Sequence, residues 1–180
     1  MKKKYLNSSV KKYLDDLSAG IPAPGGGSAS ALVSAVGVSC LLMVVNFTIG
    51  KKGYEAHTDE LKEILAKLSV LNAQLSADID EDIVAYLELS GAYKLPKDDK
   101  SRNEKIHQAL KNALSVPVRI LEISNQAKPF AARLSEIGNK NLLSDVDCGI
   151  SFLQAAIESA KANIDVNLKA IEKAGCRGGK

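Results

Sequence analysis

Between Ile21 and Gly50 the chain carries no charged side chain, and on both sides of that stretch apolar residues return every three or four positions. Such spacing puts side chains on one face of an α-helix, whereas the two-residue alternation of a strand is almost absent. An amphipathic helix is expected from about Ser8 to Ser18, with Val10, Leu14 and Leu17 on one face and Gly20 just past its end. The turn Ile21-Pro22-Ala23-Pro24-Gly25-Gly26-Gly27 follows, and the uncharged helix is expected to begin near Ser28 and to run to Ile49. A third helix is predicted from Thr58 to about Tyr93, opening on Asp59 and Glu60, where the helix dipole favours negative charge. Its seam reads Leu61, Leu65, Leu68, Asn72, Leu75, Ile79, Asp82, Tyr86, Leu89 and Tyr93.

Ser101 and Glu104 have the spacing of a capping box, so a fourth helix starts there and ends at Gly138, with Pro117 and Pro129 expected to kink or split it. The last helix begins near Ser144, keeps Val146, Ile150, Leu153, Ile157, Ala160, Ile164, Asn167 and Ile171 on one seam, and ends at Gly175. These elements predict an all-α fold. It is a single domain over 1–180, a compact bundle of five to six helices with the uncharged helix buried at its centre.

The uncharged helix also passes the length test for a membrane span. Ser28, Ser30, Ser34, Ser39, Gly37, Asn46 and Thr48 interrupt it, and small residues recur every four positions at Gly27, Ala31, Ala35 and Ser39. That stripe suits close approach of another backbone, in a membrane dimer or in the centre of a bundle. Hydrophobic residues make up 46% of the chain and charged residues 25%, which excludes disorder. A net charge of +3 is too small for the electrostatic footprint of nucleic-acid binding. Cys40, Cys148, Cys176, His57 and His107 show no metal-ligand or disulfide spacing, and both histidines are read as surface residues. A reduced, cytoplasmic setting is expected, because Lys2, Lys3 and Lys4 are not followed by the apolar stretch of a secretion signal.

Five groups of residues can carry chemistry. Gly25, Gly26, Gly27 and Ser28 at a helix start allow close backbone approach to an anion, or simply give a flexible entry to the helix. Asp82 falls on an apolar seam beside Tyr86, where burial raises a carboxylate's pKa toward the range useful for acid–base work. The alternative is a helix rotated so that Asp78, Asp80, Glu81 and Asp82 face water. Asn163 and Asn167 lie one turn apart and offer amides to a heterocycle or to a neighbouring helix. Lys51 and Lys52 meet an anionic group or cap a helix end, while Asn139 and Asp145 flank a loop as pocket or turn residues.

Eight blocks occur in order: Pro24-Gly25-Gly26-Gly27-Ser28, Thr48-Ile49-Gly50-Lys51-Lys52 with Tyr54, Asp80-Glu81-Asp82-Ile83-Val84-Ala85-Tyr86, Ala92-Tyr93-Lys94-Leu95-Pro96-Lys97, Val116-Pro117, Gly138-Asn139, Ser144-Asp145, and Asn163-Ile164-Asp165-Val166-Asn167-Leu168. In this order they resemble the cyclodeaminase family of folate enzymes, which includes the cyclodeaminase half of formiminotransferase-cyclodeaminase and free-standing methenyltetrahydrofolate cyclohydrolases. The resemblance runs from about Leu14 to Ile171 and implies a soluble homodimer without membrane or nucleic-acid partner. It implies a tetrahydrofolate derivative as substrate and no metal or further cofactor. The glycine loop and the lysines would bind the pterin or glutamate portion, and Asp82 would be the catalytic carboxylate, with Asp80 the lesser claimant. Two reactions fit, with 5-formimidoyltetrahydrofolate cyclodeamination favoured over 5,10-methenyltetrahydrofolate cyclohydrolysis. A non-catalytic helical binding dimer is the rival from another class.

Overall fold

In the computed structural model, residues 5–177 are described, with the side chains of 176 and 177 excepted. Five α-helices account for most of the described chain, and none of those residues is in a strand. They are α1 (Val10–Ser18), α2 (Gly26–Thr48), α3 (Thr58–Tyr93), α4 (Arg102–Ile137) and α5 (Leu143–Arg177). Short 3₁₀ turns precede α1, α3 and α5.

The uncharged helix sits where its composition demands. Helix α2 packs against α3, α4 and α5, and its Ala31, Val38, Leu41, Val44 and Val45 have no exposed surface. By length and composition it would cross a bilayer, yet 56% of its most apolar window is buried inside the bundle. Leu61, Leu68 and Leu75 of α3, Ile120 and Leu134 of α4, and Leu153 of α5 close the core around it. Each such side chain contributes about 1.5–3 kcal/mol by leaving water. A smaller apolar cluster of Ala92, Ile106, Ala109 and Leu110 forms separately, backed by Leu89 and Ile171.

Three expectations about element ends need correction. Helix α2 begins at Gly26 with Gly25 as its N-cap, so two of the three glycines lie in the first turn and not in the preceding loop. Ser101 does not form the expected capping box. Its backbone is already helical, at φ −87° and ψ −8°, where a cap needs an extended residue, and its N–H and hydroxyl both donate to Asp99 Oδ1 instead. Pro117 and Pro129 both lie inside an unbroken 36-residue α4. Pro117 is itself buried, and packing against α3 and α5 on both sides carries the helix through the lost donors.

A close backbone approach between α2 and α5 lies off the predicted small-residue stripe. A Cβ on Gly37 would stand 3.0 Å from the Gly149 carbonyl oxygen, and one on Gly149 would stand 3.1 Å from that of Gly37. The α2–α5 crossing is therefore set by a glycine pair. On the stripe, Ala31 and Ala35 are buried as expected, whereas Ser39 is exposed and accepts a hydrogen bond from Asn72 Nδ2 at 3.2 Å.

Candidate active site

Four carboxylates within five residues of α3 go to four surroundings, because a helix turns about 100° per residue. Asp78 faces inward, is 1% exposed, and pairs with Arg119 of α4. Glu81, one turn below on the same side, takes the same guanidinium from the solvent side. Asp80 accepts a hydrogen bond from the main-chain N–H of Tyr5 at 2.7 Å, which ties the 3₁₀ turn before α1 to α3. The remaining one, Asp82, points at the start of α2 and accepts from the main-chain N–H of Ser28 at 2.8 Å.

That contact explains one glycine. A Cβ on Gly27 would lie 2.0 Å from Asp82 Oδ1 and 2.6 Å from its carboxyl carbon, so no side chain fits there while the carboxylate stays in place. Gly26 has only ordinary space around it, with Asn163 at 3.6 Å from a built Cβ, and Gly25 has nothing within 4 Å. The three glycines are thus unequal. Gly27 admits the acid, while Gly25 and Gly26 form an open floor beside it.

Ser28 holds this junction from behind. Its hydroxyl donates to the Ile79 carbonyl at 2.8 Å, and having one hydrogen it accepts from Tyr13 Oη at 3.1 Å. Helices α1, α2 and α3 are therefore pinned together at the residue whose amide meets Asp82.

Asp82 opens onto a cavity of about 350 Å³, a size suited to a heterocyclic ligand. Gly25, Gly26 and Gly27 line one side of it, Tyr86, Leu89 and Tyr93 of α3 a second, and Asn163, Val166 and Asn167 of α5 a third. Asn163 Nδ2 donates to the Ser159 carbonyl at 2.8 Å and Asn167 Nδ2 to the Ala113 carbonyl at 3.0 Å. Each of these partners can only accept, which fixes the amide orientation and leaves both Oδ1 atoms as acceptors for a ligand's N–H groups. Asp82 is the one carboxylate among the lining residues.

Burial pushes the Asp82 carboxyl above the usual range, and the nearby Asp78 charge adds to this. The Ser28 N–H opposes the shift by stabilising the anion. Asp78 is likewise raised, chiefly by burial, with Arg119 pulling the other way. The outcome at Asp82 is a partly desolvated carboxylate with enhanced proton affinity and one fixed donor, which is the equipment of a general base.

Seven of the residues singled out in the sequence line this cavity: Gly25, Gly26, Gly27, Asp82, Tyr86, Asn163 and Asn167. Ser28 stands just behind it. Lys51, Lys52, Asn139 and Asp145 do not reach it within the subunit. Lys51 and Lys52 follow the far end of a 23-residue helix, about 34 Å from Gly26. Asn139 is buried at that far end, where its N–H donates to Thr48 Oγ1 at 3.0 Å and its side chain turns back on Asn141 N. Asp145 lies near Cys40, midway along the bundle. Tyr93, Leu89 and Tyr13 complete the site and its support without having been marked for it. Tyr93 shares the seam of Asp82 and Tyr86, and that periodicity was the signal available.

Known proteins resemble this chain over nearly its whole length. The family model described as Formiminotransferase-cyclodeaminase matches residues 9–177. A methenyltetrahydrofolate cyclohydrolase from Methylorubrum extorquens is 35% identical over 170 residues, 92% of this chain and 82% of that protein. The formimidoyltransferase-cyclodeaminase of Rattus norvegicus is 29% identical over 91% of this chain, which spans only 31% of that longer protein. The crystal structure of formiminotetrahydrofolate cyclodeaminase from Thermotoga maritima superposes with a TM-score of 0.84 at 30% identity, covering 96% of this chain and 84% of its own. The chain belongs to the formiminotransferase-cyclodeaminase family.

Proposed function

We propose that this protein is a methenyltetrahydrofolate cyclohydrolase, with Asp82 as its general base. The observation that carries the reading is the one carboxylate among the described lining residues, partly desolvated in a cavity otherwise walled by amides, glycines, tyrosines and small or apolar residues. In 5,10-methenyltetrahydrofolate the carbon between N5 and N10 is already electrophilic. Water attacks that carbon while Asp82 takes a proton from it. The carbinol proton then passes to N5 as the carbon–N5 bond breaks, giving the 10-formyl product and releasing one proton overall. One carboxylate suffices for these transfers, and the reaction balances with water alone, so the proposal invokes no cofactor beyond the tetrahydrofolate substrate. Asn163 and Asn167 would accept from the ring N–H groups of the reduced pteridine, and the Gly25–Gly26 floor would let the ring approach the backbone. The free-standing relative at 35% identity bears the cyclohydrolase name, which favours water over the cyclodeamination expected from the sequence.

Cyclodeamination is the second reading, favoured by the name of the similar Thermotoga maritima structure. It requires N10 to attack the formimidoyl carbon and ammonia to leave protonated, so Asp82 would act first as base and then as acid. An assay following the methenyl chromophore separates the two. Decay of added 5,10-methenyltetrahydrofolate is expected; appearance of the chromophore from 5-formimidoyltetrahydrofolate with ammonia release would establish the second reading instead. Asp82→Asn should reduce turnover by about 100-fold or more, as general bases typically contribute ~10²–10⁴. Unchanged rates in that variant would remove Asp82 from its role.

A homodimer is part of the same proposal. Ala29, Val33, Val36, Cys40, Met43 and Phe47 recur at alternating four- and three-residue steps along the outer face of α2, with Val36 and Phe47 exposed. A second copy is the natural cover for an uncharged face. Sedimentation of Phe47→Glu against the parent protein tests it, with dissociation expected.

A further inference from the structure

Lys51 and Lys52 lie at the wrong end of α2 to meet a substrate tail within the subunit, which leaves the anionic end of a folate without a partner at the Asp82 cavity. Among the described residues, no Lys, Arg or His lines that cavity. Directly beside it is a second cavity of about 300 Å³, and the two share Tyr93 and Ala170 as wall residues. Arg102, His107 and Lys173 line this second cavity together with Asn103, and among the described residues no carboxylate does. In a chain with 21 acidic residues, a cavity with three basic side chains and no acidic one is a local segregation of charge.

The three residues come from different parts of the fold. Arg102 and His107 stand in the first two turns of α4, and Lys173 in the last turns of α5. Arg102 is held in place from α3, because its Nε donates to the Leu95 carbonyl at 3.1 Å and its Nη2 to the Tyr93 carbonyl at 3.3 Å. Those two bonds leave other guanidinium N–H groups for an anion. None of the three basic residues has an ion-pair partner among the described residues. The first turn of a 36-residue helix adds its own partial positive charge, and the Ser101 side chain, turned to Asp99, does not cap it.

We propose that this second cavity is the glutamate subsite of the enzyme, in which Arg102, His107 and Lys173 bind the α- and γ-carboxylates of a γ-linked polyglutamate tail while the pteridine occupies the cavity at Asp82. The proposal rests on the folate reading above. It replaces Lys51 and Lys52 as the tail's partners within a subunit and assigns Tyr93 to the junction, where the aromatic linker between pteridine and glutamate passes. Binding carboxylates away from the reacting carbon acts on ground and transition states alike, so the effect belongs in KM.

The test compares three substrates, 5,10-methenyltetrahydropteroate without glutamate, the monoglutamate and the triglutamate, on the whole protein. KM should fall as glutamates are added, and the ratio of tail-less to triglutamate KM should collapse toward one in Lys173→Glu. Lys173→Gln should lower that ratio about three- to fivefold, in line with a partly exposed charge pair, and Lys173→Arg should restore it. A KM in the parent protein that ignores the tail, or a Lys173→Glu effect equal on all three substrates, overturns the subsite. Collapse of the ratio in Lys51→Gln/Lys52→Gln and not in Lys173→Glu also overturns it, placing the tail on a second copy. Turnover of the tail-less substrate tests the folate reading by itself, so absence of turnover with every substrate counts against that reading and the subsite falls with it.

Discussion

Helix α2 uses glycine at two places for opposite purposes. At Gly37 the missing side chain lets two helix backbones meet, and the neighbours of a built Cβ are the Gly149 carbonyl, Phe152 and Leu153. At Gly27 the missing side chain admits a carboxylate, and every near neighbour of a built Cβ belongs to Asp82. Helix α3 repeats the contrast with acids. Asp78 is buried against Arg119, and one turn later Asp82 is half-buried between a single amide and an open cavity. The lesson is that burial alone does not mark a functional residue; what it is buried against does. A carboxylate paired with a guanidinium is structural, whereas one held by a neutral donor beside a cavity keeps its proton chemistry.

The comparison breaks first at Gly27. Gly27→Ala should lower kcat/KM by about 100-fold or more while shifting the melting temperature little, because the clashing group is the mobile end of Asp82, which rotates out of place. A kinetic and calorimetric comparison with the parent checks both halves. Arg119→Ala should do the reverse, costing ~2 kcal/mol in urea unfolding by leaving Asp78 buried without its cation, less than the ~3–5 kcal/mol of a fully buried pair because Arg119 is 38% exposed. Activity per folded molecule should change far less than in Gly27→Ala. Gly37→Ala should cost about 1 kcal/mol, since overpacking of ~1–3 kcal/mol is partly offset by the better helix propensity of Ala, and lower the melting temperature by roughly 2–4 °C. Full retention of stability would show that α2 and α5 separate without cost.

The acids sharpen the same contrast through pH. Asp82 is active as its anion and its pKa is raised by burial, so kcat/KM should fall as pH drops through a value above the ordinary ~3.9. Stability moves the other way. In the window between the ordinary and the raised value the native state binds more protons than the unfolded one, so this group's contribution improves as pH falls and worsens as it rises. Asp82→Asn should therefore flatten that part of the stability profile, read by thermal melts across the acid range, while abolishing the rate profile. Tyr13→Phe makes the smallest change. It removes the donor to Ser28 Oγ but not the Ser28 amide, and should cost ~1 kcal/mol with kcat within a few fold of the parent.

Much of this was legible in the chain. The 3.6-residue periodicity placed α3 at Thr58–Tyr93, within the bounds the structure shows, and put Asp82 on its inner seam. The uncharged composition of Ile21–Gly50 left a membrane span and a buried central helix both open, the family resemblance pointed to the second, and α2 is packed inside the bundle. Local rules failed where tertiary contacts overrode them. Ser101 kept the spacing of a cap but Asp99 claimed its hydroxyl, and Pro117 kept its helix-breaking chemistry inside a helix braced by its neighbours.

The sequence by itself determined the fold class, the family and the acid at the centre of the site, because each is written in a period or an ordered set of short blocks. Only the tertiary structure decided which candidates meet. Residues at opposite ends of a 23-residue helix are about 34 Å apart in space, so Lys51 and Lys52 separate from Gly26. The same rigidity brings Arg102, His107 and Lys173, from two helices far apart in the chain, to one cavity beside Asp82. Helices fix distance along their axes and leave proximity across them to packing, and packing is what assembled this site.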